Sequence, residues 1–151
     1  MNFDTELPRD LPIPQDMSPT DGPRVLVVDD DPLMRAMTSA MLHSYGWQVF
    51  HAGSADEAMM LLKFCSQCQL ELSAVIMDLV LPGGRSGLEA LAALRTLAPK
   101  VPIIATSGFF ESSSPARCLS FGFDDVLPKP YTSQQLCDTL NRHLSDRIPL
   151  P

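Results

Sequence analysis

The sequence has few basic residues and no long apolar run. Lysine and arginine together number 11 among 151 residues, against 18 acidic residues, so the formal net charge is −7. A nucleic-acid surface needs clustered cations to displace counterions, and because no such cluster occurs we expect no nucleic-acid partner. No stretch approaches the roughly 18 consecutive apolar residues of a membrane span, and the N-terminus lacks the basic-then-apolar order of a signal peptide. We therefore expect a cytoplasmic protein with no membrane partner.

Cysteine is also scarce, and its spacing does not favour a metal or redox centre. Of the four cysteines, Cys65 and Cys68 form a CxxC pair. No second Cys or His pair follows at zinc spacing, and the pair lies at the end of a predicted helix rather than at a strand-to-helix turn. We interpret these cysteines as reduced cytosolic thiols, with a redox or zinc site as the lesser alternative.

Proline is concentrated at the N-terminus, where five of the fourteen prolines lie within the first 23 residues. A proline-rich segment with acidic and polar residues cannot bury enough apolar surface to offset its ordering entropy. We therefore predict a flexible tail at 1–22, one domain at 23–145 and a second tail at 146–151. The alternative for the first segment is a docking arm for a partner.

Two short apolar runs of the chain end at carboxylates. The run 25–28 is followed by Asp29 and Asp30, and the run 74–77 is followed by Asp78. Such runs, bounded by turn signals, are typical of strands buried on both faces of a parallel sheet. Open α/β sheets bind ligands at the carboxyl ends of their strands. Carboxylates crowded there cost free energy unless a cation lies among them, and ligands that are all oxygen suit Mg²⁺.

Strand and helix patterns alternate five times along the chain. Asp31 followed by Pro32 is a preferred helix start, Ser54 is a second cap, and Gly46 has the place of a helix stop. Strands are predicted at 24–29, 47–52, 74–78, 101–106 and 125–127, and helices from 32 to 45, from 54 to a polar stretch at 65–73, and at 86–97, 115–121 (capped by Ser114) and 132–143. This alternation predicts a doubly wound α/β fold, with a parallel five-stranded sheet and helices on both faces.

Two further side chains complete the predicted edge of the sheet. Thr106 ends the fourth strand, and Lys129 follows the fifth. A metal ion and an ammonium group can neutralise phosphoryl oxygens, a hydroxyl can donate a hydrogen bond to one of them, and an isolated carboxylate can attack as a nucleophile. Each residue alone is typical of a cap or a loop. Together at one edge they indicate a phosphoryl-transfer site that has no nucleotide cradle.

Four sequence blocks resemble the signature of bacterial response-regulator receiver domains, in the order of that family: VLVVDDD, IMDLVLPGG, IIATSG and LPKPY. The resemblance covers roughly 23–144 and implies a flavodoxin-like (βα)5 domain with strand order 2-1-3-4-5. It also implies that Asp78 is the phosphoacceptor, that Thr106 is the switch hydroxyl, and that Lys129 binds the phosphoryl group. The peptide bond before Pro130 is then a candidate for the cis form.

The same resemblance implies a metal site and a set of partners. Asp29 and Asp30 would form the acidic pair, and Mg²⁺ would be bound by this pair, Asp78 and the backbone carbonyl of Val80. The phosphoryl donor would be a histidine on a sensor histidine kinase or a His-phosphotransfer protein. The downstream protein is not named by the sequence, and a homodimer stays open.

Two positions depart from the common pattern of the family. The loop at 81–87 is one residue longer than the commonest form, as in receivers attached to hybrid kinases. Many members carry a switch aromatic three residues before Lys129, where this chain has Val126. Three other aromatic residues are candidates for that role: Phe121, Phe123 and Tyr131.

Three functional classes follow from these features. We favour a stand-alone phosphoacceptor that signals by protein contact and is no enzyme beyond its own phosphorylation and dephosphorylation. A degenerate receiver acting as a constitutive adaptor is disfavoured, because every chemical position is filled. A magnesium-dependent phosphatase of the aspartyl type is disfavoured because Val80, two residues after Asp78, replaces the general acid of that class.

Overall fold

The computed structural model of the chain describes residues 22–80, 87–108 and 115–144. The predicted tails, the loop after Val80 and the cap at Ser114 lie wholly or largely outside these residues. Within the described part of the chain, no helix has both the length and the apolar character needed to cross a bilayer.

Strands and helices alternate along the described residues and build one parallel sheet. The strands are β1 (Arg24–Val28), β2 (Gln48–Ala52), β3 (Ala74–Asp78), β4 (Ile103–Ser107) and β5 (Asp125–Pro128). The helices are α1 (Pro32–Ser44), α2 (Ala55–Gln67), α3 (Gly87–Leu97), α4 (Pro115–Phe121) and α5 (Ser133–Leu144). The strand order is β2-β1-β3-β4-β5, which confirms the predicted doubly wound fold.

The first two helices begin where the sequence indicates, and the first one also ends there. The Asp31 side chain accepts a hydrogen bond from the Leu33 N–H at 2.9 Å and caps α1. The Ser54 hydroxyl accepts from the Glu57 N–H at 3.2 Å and caps α2. Gly46, just after α1, has φ +82°, a left-handed conformation that glycine adopts without steric cost and that stops the helix.

The second helix is longer than its sequence pattern suggests. The polar stretch predicted to begin at Cys65 starts later, because α2 continues to Gln67. Cys65 is buried in the core, so packing against the sheet keeps this last turn helical despite its polar neighbours. Burial also raises the pKa of the Cys65 thiol to about 11, which disfavours a reactive CxxC pair.

Both faces of the sheet are covered by apolar side chains. Along β1, Leu26 and Val28 pack into one buried cluster, and Val25 and Val27 pack into another. Because successive strand residues point to opposite faces, this alternation places β1 between two hydrophobic layers. Polar side chains of the central strands can therefore reach water only at the strand ends.

Candidate functional site

Three carboxylates meet at the carboxyl edge of the sheet. Asp29 directly follows β1 and Asp78 ends β3, and these strands are neighbours. One oxygen from each of Asp29, Asp30 and Asp78 lies within 4.8 Å of the other two. Asp29 and Asp78 are buried, whereas Asp30 is exposed. The structure thus brings together the three carboxylates that the sequence predicts.

Lys129 joins two of these carboxylates. Its Nζ donates to Asp29 Oδ2 at 2.8 Å and to Asp78 Oδ2 at 2.9 Å. Burial alone would lower the pKa of Lys129, but its hydrogen bonds to the two carboxylates, together with their charges, outweigh burial and raise the pKa above its usual value. The Lys129 N–H donates to the Ser107 carbonyl at 3.0 Å and thereby fixes the start of this side chain at the end of β4.

Thr106 lies beside the central carboxylate. In the parallel pairing of β3 with β4, Asp78 is opposite Thr106. The Leu79 N–H donates to the Thr106 carbonyl at 3.0 Å, so the two strands stay paired up to the edge. The hydroxyl and the carboxylate therefore leave adjacent strands at the same level of the sheet.

The two oxygens of Asp78 have different environments. Oδ1 accepts a hydrogen bond from the Val80 N–H at 3.0 Å, whereas Oδ2 contacts Lys129. Val80 itself is 65% exposed. One oxygen is thus fixed by the backbone, and the other faces the cation that would contact an incoming anion.

The donor set fits a magnesium ion. It consists of carboxylate oxygens, which are hard ligands that Mg²⁺ prefers. Three carboxylates against one ammonium group leave a formal excess of two negative charges. A divalent cation would offset this negative charge, so the predicted metal ligands Asp29, Asp30 and Asp78 are consistent with the geometry.

Two contacts of the site were not predicted from the sequence. The hydroxyls of Thr38 in α1 and Tyr131 lie 2.6 Å apart, and burial raises the pKa of Tyr131. Arg35 Nη1 donates to the backbone carbonyl of Asp29 at 2.6 Å. No pattern along the chain marks Arg35 for this contact, because the Asp29 carbonyl is left for it only where β2 stops pairing with β1.

The candidate switch aromatics occupy different surroundings. Phe123 is buried in the core and Phe121 is exposed on α4. Tyr131 alone of the three follows Lys129 closely in the chain, after a cis bond between Lys129 and Pro130. Val126 is half-buried and packs against the core.

Comparison with known proteins identifies the class that this fold and site define. Residues 25–141 match the response regulator receiver domain, and the chain belongs to this family. The described site residues Asp29, Asp30, Asp78, Thr106 and Lys129 all lie within that match. The family resemblance of the four sequence blocks is thereby confirmed.

Individual relatives are larger proteins. The chain is 36% identical over 114 residues to the transcriptional regulatory protein AruR of Pseudomonas aeruginosa. This match covers 76% of the chain and 46% of AruR. The chain is also 33% identical over 129 residues to the transcription factor SKN7 of Saccharomyces cerevisiae. That match covers 85% of the chain and 20% of SKN7. The chain therefore spans less than half the length of these curated relatives.

A solved receiver-domain structure is similar to the fold of this chain. The receiver domain of the sensor histidine kinase PA1611 from Pseudomonas aeruginosa has a TM-score of 0.71 at 28% identity, over 82% of this chain and 98% of that one. That structure holds a magnesium ion coordinated in its active-site cleft.

Proposed function

We propose that this receiver domain is the phosphoacceptor of a two-component phosphorelay and that Asp78 takes the phosphoryl group. The observation that carries the proposal is the position of Lys129, whose ammonium group bridges Asp29 and Asp78 at 2.8 and 2.9 Å. The donor is a phosphohistidine on a sensor histidine kinase or a His-phosphotransfer protein. The domain acts in the cytoplasm and signals through contact with a downstream protein, either as a monomer or as a homodimer.

The transfer is an in-line exchange at phosphorus. A carboxylate oxygen of Asp78 forms the new O–P bond while the N–P bond of the donor breaks, and the imidazole leaves with that electron pair. Lys129 binds a phosphoryl oxygen, and the Thr106 hydroxyl donates a hydrogen bond to another. The site promotes the reaction by positioning the reacting groups and by neutralising charge on the phosphoryl oxygens. The domain therefore needs no nucleotide site and catalyses only its own phosphorylation and dephosphorylation.

Four groups would hold the metal: the carboxylates of Asp29, Asp30 and Asp78 and the backbone carbonyl of Val80. Mg²⁺ bound there would neutralise charge on the phosphoryl oxygens. The carboxylates of Asp29 and Asp78 are held in place by Lys129 and by backbone N–H groups. Their positions are therefore set before a ligand arrives.

Phosphorylation by a small acyl phosphate tests the proposal. Wild-type protein incubated with acetyl phosphate and Mg²⁺ should gain the mass of one phosphate, and Asp78→Ala should gain none. Asp138→Ala is the matched control, because it removes an exposed carboxylate of α5 that is not one of the three clustered carboxylates. A wild type that gains no mass, or an Asp78→Ala protein that gains as much as the control, would contradict the assignment.

A further inference from the structure

We infer that Arg35 is a positioning residue for the metal site, because it holds the peptide between Asp29 and Asp30 and thereby directs Asp30 towards the other carboxylates. The inference rests on the proposed Mg²⁺ site. It assigns a role in that site to a side chain that is not itself a ligand.

The guanidinium group completes the hydrogen bonding of β1 at the point where the sheet ends. The Asp29 N–H still pairs with β2, donating to the Ala52 carbonyl at 3.0 Å. Beyond this bond the chain of β2 turns into α2, and the Gly53 N–H donates to Glu57 Oε2 at 2.6 Å. The Asp29 carbonyl accepts instead from Arg35 Nη1 at 2.6 Å.

Gly53 leaves room for this contact. A Cβ atom at position 53 would lie 3.2 Å from Arg35 Nη1 and 3.5 Å from Glu57 Oε2. The guanidinium group therefore packs closely over the bare backbone of Gly53, where even a methyl group would crowd it. Arg35 is half-buried, so the contact is partly shielded from water and is a charge-assisted bond.

The hydrogen bond from Arg35 to the Asp29 carbonyl affects the orientation of the Asp30 side chain more than that of the Asp29 side chain. Because a peptide unit is planar, the direction of the Asp29 carbonyl sets the direction in which the chain enters Asp30. Asp29 also has side-chain anchors, since Oδ1 accepts from the Asp31 N–H at 2.9 Å and Oδ2 accepts from Lys129. The Asp30 side chain is exposed, so its place in the ligand set depends on the backbone that carries it.

The two effects of Arg35 on a metal ion have opposite signs. Its positive charge repels a nearby cation, so removing the charge alone should strengthen Mg²⁺ binding. Its bond to Asp29 orients a ligand, so losing the bond should weaken Mg²⁺ binding. Outer contacts that orient metal ligands typically contribute about 10- to 100-fold in affinity. Positioning therefore outweighs repulsion, and the sign of the change separates the two roles.

Calorimetric titration with Mg²⁺ alone tests this role. Arg35→Met keeps an apolar stem but has no donor, and we expect its Mg²⁺ affinity to fall about tenfold. Arg35→Gln is a second neutral variant whose shorter side chain does not reach the carbonyl, and its affinity should fall in the same direction. Lys63→Met removes an exposed cation of α2 away from the acidic edge, and its affinity should stay within about twofold of wild type. Thermal unfolding of each variant establishes which ones are folded at the titration temperature.

The wild type separates failure of the inference from failure of the proposed site. A wild type that binds no Mg²⁺ overturns the proposed metal site, and the role of Arg35 falls with it. A wild type that binds Mg²⁺, together with a folded Arg35→Met or Arg35→Gln that binds it equally or more tightly, overturns the role of Arg35 alone. Weaker binding by the folded neutral variants, with unchanged binding by Lys63→Met, supports it.

Discussion

The two edges of the sheet use ionic groups in different ways. At the amino edge, Arg95 in the last turn of α3 forms an ion pair with Asp124. Arg95 also donates to the carbonyls of Val101 at 2.6 Å and Gly122 at 3.0 Å. Asp124 accepts from the Ile103 N–H at 2.8 Å. In this pair one cation meets one anion, and backbone groups complete their hydrogen bonding.

The carboxyl edge has an excess of anionic groups. Lys129 serves two carboxylates, and a third belongs to the exposed Asp30. A balanced pair with backbone partners stabilises loops, whereas an unbalanced cluster is unfavourable without a further cation. The difference favours a structural role for the Arg95–Asp124 pair and supports the proposed ligand site at the carboxyl edge.

The largest change should come from removing a carboxylate at the acidic edge. Asp30→Ala takes away one of the proposed charged ligands, so we expect Mg²⁺ affinity to fall on the order of a hundredfold, or about 2.7 kcal/mol. Calorimetric titration measures the affinity, and Asp138→Ala is again the control. Equal affinity in wild type and Asp30→Ala would refute this ligand assignment.

Removing a carboxylate at the amino edge should affect stability instead. Asp124→Ala leaves the Ile103 N–H and Arg95 without this acceptor, so the free energy of unfolding should fall by about 2 kcal/mol. Urea denaturation measures the loss, and Mg²⁺ affinity of the folded variant should equal that of wild type. A change in Mg²⁺ affinity as large as that of Asp30→Ala would remove the distinction between the edges.

A smaller effect is expected from substitutions that change how fast the phosphorylated Asp78 is hydrolysed. A water molecule must be held in line with the Asp78 O–P bond, and neither Val80 nor Gly108 offers a hydrogen-bonding side chain for it. The phosphorylated form should therefore be long-lived. Among the residues that the structure describes, none beyond the chain neighbours of Gly108 has an atom within 4 Å of a Cβ placed at that position.

Val80→Asn and Gly108→Glu should each speed dephosphorylation several-fold, because each adds a group that can orient the water. Loss of the phosphate mass after removal of acetyl phosphate measures the rate. Rapid decay in the wild type, unchanged by both substitutions, would show that another residue holds the water.

The smallest effect is expected for an ionisable group that belongs to neither edge. His51 on β2 faces Ser39 of α1, with an Nε2 to Oγ distance of 2.8 Å. Burial, and then the charges of Arg35 and His43, lower the pKa of His51 below its usual value of 6.5. Because the folded state favours the neutral ring, stability from this group is present above pH 6.5 and is lost as the pH falls below it.

His51→Gln should therefore lose less unfolding free energy than wild type between about pH 7.5 and about pH 5.5. Urea denaturation at the two pH values measures both losses. An equal loss in the two proteins would mean that His51 contributes nothing to the pH dependence.

The sequence predicted where these side chains lie because its signals are local. Apolar runs locate the strands, and a residue that ends a strand of a parallel sheet must reach its carboxyl edge, which places Asp29, Asp78 and Thr106. Caps are local as well, since Asp31 and Ser54 bond to backbone groups within three residues.

Other features depend on contacts between distant elements. The bond between Thr38 and Tyr131 joins residues 93 positions apart, and no pattern along the chain fixes the distance between their hydroxyls. The bond from Arg35 to the Asp29 carbonyl depends on where β2 stops pairing with β1. The last turn of α2 is held by burial of Cys65, which overrides its polar neighbours.

Identifying the residue that carries the phosphoryl group tests the central claim most directly. Borohydride reduces an aspartyl phosphate to homoserine, so peptide mass spectrometry after phosphorylation by acetyl phosphate locates the modified carboxylate. We expect homoserine at position 78, formed only when Mg²⁺ was present during phosphorylation. Homoserine at position 29 or 30, or its formation at position 78 without any divalent cation, would contradict the account.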